Sequence, residues 1–196
     1  MNLEEIKREL TYQAALTYYD EFDIKKVQEL FLALMNHGVY SDDLINLKSD
    51  LSTQDYIFIF HSELKLLSIY FPEDKQIALY LILRYHIGNI ANKNIDPIKE
   101  LYEMMHYHNA FYLSIPCDSR YEELSKNPYD INDFHDLYMW HDDAIICDEL
   151  RLDNLEKNKI IMEIKKDIID QAKTWLKNHP DNNLLFRDME RNDIRV

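Results

Sequence analysis

"DKQIALYLILRYHIGNI", residues 74–90, decides the fold. Laid out at 100° per residue, its apolar side chains cover most of the circumference rather than one stripe, the pattern of a helix enclosed by other helices. Its clean apolar run, "IALYLIL" at 77–83, is far short of the roughly 20 residues that a membrane span needs. The stretch therefore predicts an all-α bundle with residues 74–91 as its central helix. Glycine usage points the same way, since the chain has two glycines in 196 residues, Gly38 and Gly88, against a usual share of about 7 %. That removes the φ > 0 positions on which hairpins and phosphate-cradling loops depend. The Walker loop and the dinucleotide fingerprint need several glycines at close fixed spacing, so nucleotide binding by either route is excluded.

On the N-terminal side, Leu3, Ile6, Leu10, Ala14 and Tyr18 recur at helical spacing and predict a helix over 3–19. Val27, Leu30, Phe31, Leu34 and Met35 predict a second over 24–37, closed by Gly38 in the left-handed conformation. "SDDLINLKS" suggests a short helix capped by Ser41. "LSTQDYIFIFHSELKLLSIYFP" gives a longer one, with Ser52 and Asp55 at capping-box spacing and Pro72 beyond its end. On the C-terminal side, Asp96 followed by Pro97 is a strong start signal: a carboxylate that accepts from free amides, then a residue with no amide to satisfy.

That helix is expected to run to about His106, with "HNAFYLSIPCDS" more extended because Pro116 biases Ile115 away from helix. A short helix over 119–125, a break at Asn127-Pro128 and a helix from about Asp130 to Leu150 follow. A last helix, 153–178, carries Leu155, Ile160, Ile161, Ile164, Ile168, Ile169, Ala172, Trp175 and Leu176 along one side and ends before Pro180. The sum is about eight to nine helices in one domain, residues 1–180, with a tail over 181–196. A hydrophobic share of 46 % in 196 residues supports one sizeable core. Cys117 and Cys147 form no CxxC and no zinc-ligand spacing, so buried free thiols are expected. "MNLEEIKREL" lacks the basic and apolar regions of a signal peptide, and the chain reads as a cytoplasmic protein without a membrane segment.

The net charge of −14 argues against nucleic acid as a partner, because phosphate affinity comes largely from Lys and Arg releasing counterions. A basic protein partner is favoured instead. The charge is uneven. Residues 118–150 hold ten acids against Arg120 and Lys126, a net −8 of the total −14. Within "DFHDLYMWHDDAIICDEL", 133–150, helical geometry puts Phe134, Leu137, Tyr138, His141 and Ile145 on one face and Asp133, Asp136, Trp140, Asp143 and Cys147 on another. The first is the expected core face, with His141 a hydrogen-bonded core histidine.

The second face sets three carboxylates around a Trp. Like charges at that spacing cost a few tenths of a kcal/mol per pair, so helix stability does not call for them. A solvated acidic surface is the simplest account. The functional alternative is a docking face in which Glu122, Glu123, Asp133, Asp136 and Asp143 steer a basic partner while Tyr129 and Trp140 anchor it.

Catalytic and metal-binding patterns fare less well. His135 and His141 have no acid three or four residues away, and Asp142 lies two turns from His135, roughly 10 Å at 1.5 Å per residue, so one helix cannot gather these groups around an ion. His61 and Glu63 give the H-x-E of a deaminase without the P-C-x-x-C it requires. One enzyme class survives: HD-type metal phosphohydrolases use a His, a later His-Asp dyad and a distal Asp. His106, His135, Asp136 and Asp170 fall in that order, but the small residues and Gly that usually surround the dyad are absent. The expectation is a protein that is not an enzyme, with no cofactor and no metal.

The segment "ALYLILRYHIGNIANKNIDPIKELYEMMHY", 78–107, together with the helical and acidic character of the chain, resembles the acidic all-helical immunity proteins of bacterial polymorphic and contact-dependent toxin systems. The recognisable sequence covers about a sixth of the chain. The resemblance implies neutralisation of a cognate toxin by tight binding. Many such toxins are basic nucleases, whose phosphate-binding surface an acidic face would contest. A helical scaffold or adaptor without a toxin partner is the alternative.

Overall fold

Capping side chains set where each helix begins. The computed structural model describes residues 1–39, 51–92, 95–114 and 153–180. Within these lie α1 (Leu3–Leu16), α2 (Ile24–Asn36), α3 (Thr53–Leu66), α4 (Lys75–Asn92), α5 (Pro97–Ser114) and α6 (Asn154–Asn178), and no strand among the described residues. The chain is all-helical there, as the glycine-poor composition predicts. The helices expected over 41–49, 119–125 and 130–150, like the tail 181–196, lie outside the described residues.

Asn2 and Glu5 form a reciprocal capping box on α1, with the Glu5 amide donating to Asn2 Oδ1 at 2.9 Å and the Asn2 amide to Glu5 Oε2 at 2.8 Å. Asp23 accepts from the amides of Lys25 and Lys26 at the start of α2. Ser52 accepts from the Asp55 amide at the start of α3. Asp74, Asp96 and Asp153 take the same role for α4, α5 and α6. An Asp, Asn or Ser thus precedes each of the six described helices, satisfying amides that would otherwise have no acceptor.

Two helices end in matching turns. After α2 the amide of Gly38 donates to Met35 O and that of Val39 to Leu34 O, with Gly38 at φ +81°. After α3 the amide of Ser68 donates to Lys65 O and that of Ile69 to Leu64 O, with Ser68 at φ +53°. The second turn places a residue with a Cβ where glycine is at ease, a conformation that costs roughly 1–2 kcal/mol. It is held because Ile69 and Leu64, either side of the turn, are both buried. We expect Ser68→Gly to stabilise the protein by about 0.5–1 kcal/mol, after the greater freedom of the unfolded glycine is counted. Gly38→Ala should cost about 1 kcal/mol through φ alone, since a Cβ built there meets no atom within 4 Å among the described residues. Thermal unfolding of the two variants should shift in opposite directions.

The chain divides into two compact units, Met1–Ile82 and Leu83–Val196. In the first, Ile6 and Leu10 of α1, Val27 and Leu30 of α2 and Phe60 and Leu64 of α3 form one buried cluster. Phe60 is fully buried between Phe22 and Phe31, at ring separations of 5.2 Å and 5.9 Å. Gln13 is also buried and accepts from the Asp23 amide, fastening the connection between α1 and α2. The second unit buries Ile87 and Ile90 of α4, Leu101 and Met104 of α5, and Ile164, Ile168 and Ala172 of α6. The boundary between the units falls inside α4, whose residues are buried continuously from Ile77 to Leu83. That matches the all-round apolar pattern read from its sequence. No helix among the described residues is long and apolar enough to cross a membrane.

α5 departs from expectation by continuing past His106 to Ser114. Pro116 acts against helix at Ile115 and has no effect on the residues before that. Nothing between Asn109 and Ser114 breaks a helix, so α5 continues through them.

Candidate functional site

The residues proposed to meet a partner, Glu122, Glu123, Tyr129, Asp133, Asp136, Trp140 and Asp143, all lie outside the described residues, as do His135 and His141. The structure fixes what flanks them in sequence: α5 ends at Ser114 and α6 is capped by Asp153. The polar chemistry that is described in the second unit centres on three clusters around α4, α5 and α6.

The first is buried. His86 and Asn89, one turn apart on α4, both point at Glu100 of α5. His86 Nδ1 lies 2.9 Å from Glu100 Oε1, and Asn89 Nδ2 donates to the same oxygen at 2.8 Å. Because a carboxylate oxygen can only accept, Nδ1 is the protonated nitrogen of the His86 ring. The ring stacks on Tyr107 of α5 at 5.9 Å and meets Tyr85 edge-on at 5.6 Å. His86 and Asn89 are each 6 % exposed and the Glu100 side chain 18 %, so this pair of hydrogen bonds to one carboxylate is largely shielded from water, and each bond is worth more than it would be when fully solvated. Its evident work is to register α4 against α5.

The second cluster closes the end of α6. His179 stacks on Trp175, with centroids 4.1 Å apart and planes 12° from parallel, and its Nδ1 donates to Trp175 O at 2.9 Å. Arg84 of α4 lies over the Trp175 ring at 5.6 Å and donates to His179 O at 2.5 Å. A charged guanidinium thus caps the last turn of α6, where it also favours the negative end of the helix dipole.

In the third, Lys165 of α6 pairs with Asp96, the cap of α5, at 2.8 Å. Burial pushes the Asp96 carboxyl up. The hydrogen bonds from Lys165 and from the amides of Ile98 and Lys99, with the lysine charge, outweigh it and hold the group below its ordinary value. On α5, burial pushes His108 below the usual histidine value, against a smaller opposing hydrogen bond from Asn109.

Both shifts lower the folded-state pKa, so each group's contribution is complete above its unfolded pKa and is lost as the pH falls. We expect stability to decline first below pH 6.5, histidine's ordinary value, and again below pH 3.8, that of Asp. Chemical denaturation across pH 3–8 checks this. His108→Gln should flatten the first step and Asp96→Asn the second. The Asp96 step is small, because its side chain is 48 % exposed and solvent screens the pair.

His106 and Asp170, two members of the phosphohydrolase pattern, are exposed on α5 and α6. No group of three or more His, Cys, Asp or Glu positioned to hold a metal occurs among the described residues. His61 of the H-x-E pair stacks on Phe71 at 4.1 Å, and Glu63 is buried in α3.

The His86–Asn89–Glu100 cluster is not among the sites expected from the sequence. The signal that could have found it was two polar residues at i and i+3 on a helix otherwise apolar all round, which must find a buried partner. No protein-family model matches this chain, and neither a curated protein nor a solved structure shows significant similarity to it.

Proposed function

We propose that this chain is an immunity-type protein that neutralises a basic bacterial toxin domain by binding it through residues 118–150, without catalysis of its own. The observation that carries the reading is the charge of that segment. It holds −8 in 33 residues, which leaves −6 for the other 163. Acids are interleaved there with Tyr121, Tyr129, Tyr138 and Trp140, the aromatic types that dominate interface energetics. A dense negative field of this kind raises the rate at which a positive partner arrives, and raises it most at low salt.

A bundle of eight to nine helices around a central α4, acting in the cytoplasm, belongs to the same proposal. The all-helical character of the described residues supports it. The test is binding to any basic toxin-like product encoded beside this chain, measured at rising salt. The association rate should fall at least tenfold between 50 mM and 500 mM salt, with dissociation changing much less. A salt-independent association rate would remove electrostatic docking from the account. If the genomic neighbourhood offers no toxin, a helical adaptor becomes the better description, and stoichiometric Mn, Fe or Zn in the purified protein would favour the phosphohydrolase.

A further inference from the structure

We draw no further inference here: the strongest candidate, the buried His86–Asn89–Glu100 cluster between α4 and α5, is occupied in fastening those two helices, and nothing among the described residues brings a ligand or a reacting group to it.

Discussion

On the proposed docking reading, replacing Asp136 and Asp143 together by lysine is expected to weaken binding to a basic toxin domain by about 100-fold. Each substitution moves the charge by two, so the pair takes the segment from −8 to −4 and the chain from −14 to −10. Two effects contribute. Loss of the attractive field slows encounter, and two new ammonium groups opposed to a positive surface leave like charges in contact, which costs several kcal/mol when they are poorly solvated. Even a combined loss of about 2.8 kcal/mol is a hundredfold in Kd, at 1.4 kcal/mol per decade.

A second variant separates the local face from the overall charge. Glu29 on α2 and Glu163 on α6 are exposed and lie outside the segment. Glu29→Lys with Glu163→Lys changes the net charge by the same amount and should alter Kd less than fivefold, through the general field alone. Calorimetric titration of both variants, with melting curves to show that each remains folded, reads the difference. Equal losses in the two would mean that charge acts only at long range. An unchanged Kd in Asp136→Lys/Asp143→Lys would remove this face from binding.

The parts of the fold that were legible in the sequence are those with local causes. Gly38 ends α2 because a left-handed residue is needed there and glycine supplies it. Asp96-Pro97 opens α5 because capping is chemistry between residues two and three apart. The α6 positions Ile164, Ile168, Ala172 and Trp175 are buried as their spacing predicts.

Signals with distant causes were not legible. Ser68 adopts a left-handed turn without the glycine that would have announced it, since packing of Leu64 and Ile69 enforces the conformation. Leu155 falls on the apolar side of the α6 pattern yet is 81 % exposed. Being apolar does not bury a residue in the first turn of a helix when no neighbour among the described residues lies against it. The polar ties of α4 depend on a carboxylate from the following helix, and periodicity carries no information about which side chain will arrive there.

Glu100→Leu is expected to destabilise the protein by about 2–4 kcal/mol, although it replaces an acid by an apolar residue at a largely buried site. Burial favours leucine. The two groups that donate to Glu100, His86 Nδ1 and Asn89 Nδ2, remain beneath it on residues that are each 6 % exposed, and each loses this acceptor. A buried donor that loses a charged acceptor costs about 1–3 kcal/mol, and two such losses exceed the gain from a desolvated leucine.

Glu100→Gln is the informative companion, because the amide oxygen can still accept from one or both donors while the charge is lost. It should cost about 1–2 kcal/mol, the difference between a charge-assisted and a neutral hydrogen bond counted over the pair. The triple variant His86→Phe/Asn89→Leu/Glu100→Leu, which removes donors and acceptor together, should recover most of what Glu100→Leu loses. Denaturant unfolding of the four proteins resolves these differences. If Glu100→Leu matched the natural chain in stability, the cluster would hold nothing together, and the register of α4 on α5 would rest on other contacts such as the His86–Tyr107 stack.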